Sequence, residues 1–172
     1  ATWLLGIGMA ILAIAISVGA TSAQEERQNR LTTFTQDPYS ISLPAGFRKT
    51  TQEDAALAAE AEDAYVCVRQ QEAEPLCEAW GVSELSAKDL ALKLQELAPG
   101  IQEVELHELD NGAVCLTYLN ESDDIMFFYC EAIVKSEDTF WVTELICKAE
   151  DQFIYRSQFL DWAETITMSP VT

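Results

Sequence analysis

The chain has 172 residues, 49% of them hydrophobic, and carries 29 acidic against 10 basic residues for a net charge of -19. Length and apolar content suit one domain with a substantial core plus something small, and the charge excludes nucleic acid and anionic lipid headgroups as partners of the polar part. One histidine in the whole sequence excludes imidazole metal clusters.

Taken in chain order, Trp3 to Ala20 comes first, an apolar run without a charge, long enough to span a bilayer as a helix. A cleavable secretory signal ending near Ala20 or Ala23 competes with a retained anchor over residues 1–23; the anchor is the expectation carried forward. Gly6, Ala10, Ala13, Ser17 and Ala20 recur at a 4-3-4-3 spacing that places them on one helix stripe. In lipid such a small-residue stripe lets a second helix approach closely, so it is the candidate membrane-helix packing seam. Residues 24–35 are polar and without periodicity, which reads as a tether.

In the domain that follows (36–168, with a tail 169–172), Tyr39, Ile41 and Leu43 alternate with serines and predict a half-buried strand that Pro44 and Gly46 end. Thr51 with Asp54 makes a capping-box pattern before the Ala-rich stretch Gln52 to Asp63, which predicts a helix. Tyr65 to Arg69 and Leu76 to Val82 read as two strands around a Gln-Glu-Ala-Glu turn. Ser86 with Asp89 caps a second helix with Ala87, Leu90, Ala91, Leu94 and Leu97 on one face, and Pro99-Gly100 stops it. Val104 and Leu106 start another strand, and Asp110-Asn111-Gly112 is a strong hairpin signal.

From Gly112 to Ala149 the chain reads as a three-stranded antiparallel meander: Ala113 to Leu119, Ile125 to Val134 and Thr139 to Lys148, joined by short charged turns. Its middle strand is apolar on both sides, so helices must cover both faces of the sheet. The last helix, about Gln152 to Thr167, carries Tyr155, Phe159, Trp162, Ala163 and Ile166 as its apolar stripe. The fold class expected is α+β, an antiparallel sheet covered by helices on both faces and preceded by one transmembrane helix.

The string Asp37-Pro38-Tyr39-Ser40-Ile41-Ser42-Leu43-Pro44-Ala45-Gly46-Phe47 resembles the opening of the PsbP-like group, which includes the Ran-binding Mog protein. The order of a mid-chain helix, a meander and a closing helix is also similar, over roughly residues 34 to 168. The resemblance implies an α/β/α sandwich that binds other proteins rather than catalysing; no functional residue is carried over from it.

Candidate chemistry is sparse. His107 falls on the polar side of its strand without a nameable partner. The turn Asn120 to Asp124 offers oxygen ligands but lacks the alternation and glycine of a calcium loop. No Gly-x-Ser-x-Gly stretch and no phosphate-binding glycine loop is present outside the apolar run. The cysteines are placed by register counting. Cys67 and Cys77 stand equidistant from the Gln71-Glu72-Ala73 turn and are candidates for a disulfide. Cys115, Cys130 and Cys147 fall side by side on three strands, as a second disulfide or as buried thiols. No cofactor and no metal is expected.

Arg27 and Arg30 follow the apolar run, which by the positive-inside rule leaves the domain cytoplasmic. The family resemblance and the cysteine count favour the extracytoplasmic side, which is the localisation expected. The function expected is a single-pass accessory or assembly subunit of a membrane complex, meeting its partner subunits through the anchor and the acidic domain. A free-standing extracytoplasmic ligand-binding or sensor domain is the alternative, and an enzyme with an unrecognised site comes third.

Overall fold

A computed structural model describes residues 30–170. Its centre is a seven-stranded sheet in which every ladder is antiparallel. In chain order the strands are β1 (Leu31–Gln36), β2 (Tyr39–Pro44), β3 (Arg48–Thr50), β4 (Leu57–Glu60) and β5 (Ala64–Glu72). Helices α1 (Ala73–Trp80) and α2 (Ala87–Leu97) follow. Then come β6 (Gln102–Glu108), β7 (Val114–Ser122), β8 (Ile125–Ser136), β9 (Thr139–Lys148), α3 (Gln152–Glu164) and β10 (Thr167–Met168). The large sheet runs β3-β4-β5-β9-β8-β7-β6, and a small sheet runs β1-β2-β10.

Two hydrophobic cores flank the large sheet. One lies under α1 and α2 and includes Leu76, Leu90, Leu94, Leu116, Tyr129 and Ile146. The other lies under α3 and the small sheet, with Tyr39, Ile41, Leu43, Phe128, Phe159 and Trp162. The strand alternation decides which residue serves which core: on β8, Phe127, Tyr129 and Ile133 enter the first, and Phe128, Cys130 and Ala132 the second. The layering is sandwich-like, as a sheet apolar on both faces requires.

The meander, the α2 helix with its Ser86–Asp89 capping box, and the closing helix stand where the residue pattern puts them. The hairpin at Asp110-Asn111-Gly112 is also present, with Gly112 at φ +87. Asn111 Nδ2 donates to the Ala163 carbonyl at 2.8 Å and Glu164 Oε1 accepts from the Asp110 amide at 3.0 Å, so this turn is fastened to the C-terminal end of α3.

Four expectations are corrected. The stretch 52–63 is not a helix: it turns through Asp54 (φ 61) and enters β4, where Leu57 pairs with Val68 and Ala58 with Cys67. Ala58 and Ala59 are buried in opposite cores, so burial on both faces of a strand outweighs alanine's helix propensity. The stretch 76–82 is not a strand but belongs to α1. Pro75 sits in the first turn, where its missing N–H costs nothing, and Gly81 (φ 65) ends the helix with its amide on Glu78 and that of Val82 on Cys77. Residues 31–35, expected to belong to the tether, instead pair with β2 as part of β1.

The fourth correction concerns the transmembrane helix in the expected fold class. Among the described residues no helix is long and apolar enough to cross a membrane. The span expected over 1–23, with Gly6, Ala10, Ala13, Ser17 and Ala20, lies outside the described residues. The fold is a mostly antiparallel sheet with three helices, and among the described residues nothing supports the expected membrane-anchored, extracytoplasmic placement, which is withdrawn.

Candidate functional site

The Leu43-Pro44-Ala45-Gly46-Phe47 stretch ends β2 and turns sharply, with the Phe47 amide donating to the Pro44 carbonyl at 3.0 Å. The β4–β5 turn (Ala61, Glu62, Asp63) approaches the same place, and so does the solvent side of α3. Between them is a cleft of about 790 Å³. Phe47 and Trp162 meet edge to face with ring centroids 5.4 Å apart, and both are buried, so they form a firm apolar base. Tyr155, stacked on Phe159 at 5.3 Å, lines the wall and donates its hydroxyl to Asp63 Oδ1 at 2.5 Å.

The cleft is acidic. Glu62, Asp63 and Asp161 line it, with Arg30 as its one cationic lining residue among the described residues. Burial, then the hydrogen bond to Asp63, raises the Tyr155 hydroxyl far above its ordinary range, so it stays a donor. Nearby, Asp151 is raised by burial first and then by the charges of Asp63 and Glu150. At the start of α3, Phe153 is 87% exposed and Ile154 59% exposed. Both belong to a helix whose inner face is already filled by Phe159, Trp162 and Ala163. These two large apolar side chains stand outside both buried cores among the described residues.

A different polar group sits in the other core. Glu131 on β8 and Glu144 on β9 are direct cross-strand partners, each 2% exposed. Tyr118 donates its hydroxyl to Glu131 Oε1 at 2.7 Å, and Arg69 Nη1 lies 3.9 Å from Glu144 Oε1. Burial raises both carboxyls above the usual range, Glu144 further because the neighbouring Glu131 charge adds to it. The residue pattern carried a signal for this pair that was missed: Cys130-Glu131-Ala132 and Thr143-Glu144-Leu145 each put a carboxylate mid-strand between inward-facing residues.

The cysteines are all free thiols. Cys67 lies on β5 and Cys77 on α1, so the hairpin that set them opposite does not exist. Cys67 pairs with Ala58 and Glu144 instead, and Cys77 lines a second cleft of about 860 Å³. The trio shares one core face, but its register differs: Cys115 opposes Ala132, Thr117 opposes Cys130, Cys130 opposes Leu145 and Phe128 opposes Cys147. The two-residue turns centre on Asp123-Asp124 and Glu137-Asp138, one residue away from the Ser122-Asp123 and Asp138-Thr139 centres that a side-by-side placement requires, which displaces the pairing by two and makes the cysteines diagonal neighbours. His107 Nε2 lies 3.4 Å from Glu105, a carboxylate that also binds Arg156 at 3.3 Å. Among the described residues, no group of three or more His, Cys, Asp or Glu side chains is placed to hold a metal.

No protein-family model matches the chain, and no curated protein matches it in sequence. Solved structures do match. The solution structure of cyanobacterial PsbP (CyanoP) from Synechocystis is similar with a TM-score of 0.54 at 13% identity, over 88% of this chain and 98% of that one. The Ran-binding protein Mog1p of Saccharomyces cerevisiae gives 0.52 at 9% identity, over 81% and 96%. A Mog1 variant gives 0.56 at 9%, over 83% and 97%. At these identities the likeness establishes a PsbP/Mog-like fold and nothing finer.

Proposed function

Starting from a PsbP/Mog-like fold, we propose that this chain is a non-catalytic docking domain, an accessory subunit that binds a positively charged segment of another protein along the α3 cleft. The observation that carries the reading is the pairing of apolar and acidic surface at one place. Phe47, Trp162 and Tyr155 offer an apolar base and Glu62, Asp63 and Asp161 supply negative charge, while Phe153 and Ile154 stand exposed at the N-terminal end of the same helix, outside the cleft lining. A partner segment with lysine or arginine beside a bulky apolar residue complements the apolar base and its acidic lining. Charge steers such an encounter and apolar contact holds it. The net charge of -19 acts in the same direction over the whole surface. One protein with this fold is described as Ran-binding, which supports a docking role as a class and does not identify the partner.

A cleft of about 790 Å³ is also within the size range of small-molecule sites, so a small cationic ligand is the second reading. Site-specific photo-crosslinking in the native host separates the two. A crosslinker at Gln158, which lines the cleft, should give a discrete protein adduct through a basic segment. One at Glu96, exposed on α2 across the sheet, should not. Equal adducts from both positions, or none from Gln158, contradict docking at this cleft.

A further inference from the structure

The carboxyl pair Glu131–Glu144 has no part in that docking reading, since it lies in the core under α1 and α2, across the sheet from the cleft. Ionised carboxylates only accept hydrogen bonds, so two of them side by side repel, and burial removes the water that would screen the repulsion. Glu131 has a donor in Tyr118. Glu144 is less well supplied: its Oε2 is buried without a hydrogen-bond partner, and Arg69 stands 3.9 Å from its Oε1, too far for a hydrogen bond. One proton on Glu144 resolves the conflict. It removes one charge and turns the contact between the two carboxyls into a donor–acceptor pair.

We propose that Glu131 and Glu144 form a proton-binding site, in which Glu144 holds a proton that it shares with ionised Glu131, and that release of this proton to solvent base loosens the α2 layer over β7 and β8. The groups around the pair fit this role. From β5, Arg69 supplies one positive charge, which offsets one negative charge and not two. Tyr65 and Cys67, on the same strand, are themselves pushed up by burial and stay neutral, Cys67 to about 11. Tyr118 and Tyr129, stacked at 5.0 Å, remain protonated for the same reason, and the Tyr129 hydroxyl has no partner of its own. Above them α2 presents Leu90, Ala91 and Leu94, none of which titrates. A metal between the carboxylates lacks a third ligand among the described residues.

The sign of the effect follows from linkage. Both carboxyls are raised in the folded state, so the stability they contribute is complete below the ordinary unfolded value of about 4.3. It is lost as pH climbs from there through the folded value. Over that window each retained proton lowers the folding equilibrium constant by about tenfold per pH unit. Few other groups interfere near neutrality, because the chain has one histidine and the identified thiol shifts run upward.

Denaturant unfolding of the full chain from pH 5 to 9 tests the proposal. Wild type should lose stability progressively with rising pH. Glu144→Gln keeps the size and a donor for Glu131 but has no proton to lose, and it should flatten that slope by one proton. An equal slope in both proteins overturns the proposal. Should Glu144→Gln fail to fold, carboxyl carbon NMR of glutamate-labelled wild type decides at pH 7. A buried glutamate in the protonated position supports the site, and every glutamate ionised overturns it.

Discussion

Tyr39 Oη and Thr143 Oγ1 lie 2.6 Å apart in a hydrogen bond that joins the small sheet to the centre of the large one. The Tyr39 ring stacks on Trp141 with centroids 5.4 Å apart, so this side chain joins Ile41 and Leu43 in seating β2 on the large sheet. Burial drives the Tyr39 hydroxyl far above its ordinary range, against the opposing pull of Thr143, so the bond persists at any pH the fold survives. Tyr39→Phe should cost about 1–3 kcal/mol, since it strands a fully buried threonine hydroxyl. Tyr39→Phe combined with Thr143→Val should cost less than the sum of the two single changes in denaturant unfolding. Strict additivity would mean that the two hydroxyls do not act as a pair.

Trp162 contributes to both the core and the cleft. It packs edge-on to Phe47 and tilted to Phe159 at 5.4 Å, and it is 6% exposed. Trp162→Ala should cost about 3–5 kcal/mol, the usual loss for a large core aromatic. A loss below about 1 kcal/mol in urea unfolding would mean that α3 is not seated on the sheet as described.

The thiols give a third check, because they report burial residue by residue. Cys67, Cys115, Cys130 and Cys147 are buried, while Cys77 is partly exposed beside the second cleft. Burial pushes Cys67 up to about 11 and raises Cys147, while the neighbouring Cys115 thiol, and then burial, raises Cys130 above the ordinary thiol range. The thiolate is the reactive species, so an aromatic disulfide reagent at neutral pH should modify Cys77 quickly and the other four only on unfolding. Five titratable thiols in denaturant confirm that none is paired. Rapid modification of two or more in the folded protein contradicts the burial pattern.

Much of this fold is written in local pattern, and the exceptions have physical causes. The β7–β9 meander is legible because β-branched and aromatic residues run unbroken between two charged turns. The capping box at Ser86 and Asp89 is legible because two side chains three residues apart satisfy each other's amides. By contrast Leu57–Glu60 has helical composition and becomes a strand only because β5 offers it a partner and both faces are covered. Cys77 reads as a strand residue for the converse reason: a run with strand-like residues follows directly from β5, and only Gly81 in the left-handed region marks it as the end of a helix. The cleft could not be read ahead, since Phe47, Asp63 and Trp162 are distant in sequence and meet only when α3 returns over the sheet. The carboxyl pair required a register exact to the residue, and register counted from a turn is wrong by two for every one-residue error in its centre.

Negative charge at the α3 cleft is proposed to recruit a basic partner, and apolar surface to hold it. Once crosslinking has identified that partner, its affinity measured against salt for wild type, Asp161→Arg and Glu96→Arg tests the claim most directly. Wild-type affinity should fall as salt rises, because exposed charges are screened beyond about 10 Å at 0.1 M. Asp161→Arg should weaken binding about tenfold or more at low salt, a loss of roughly 1.4 kcal/mol, and flatten the salt dependence. Glu96→Arg should leave both unchanged within about twofold. Equal weakening by the two charge reversals, or a partner that binds Asp161→Arg as tightly as wild type, would contradict docking at the α3 cleft.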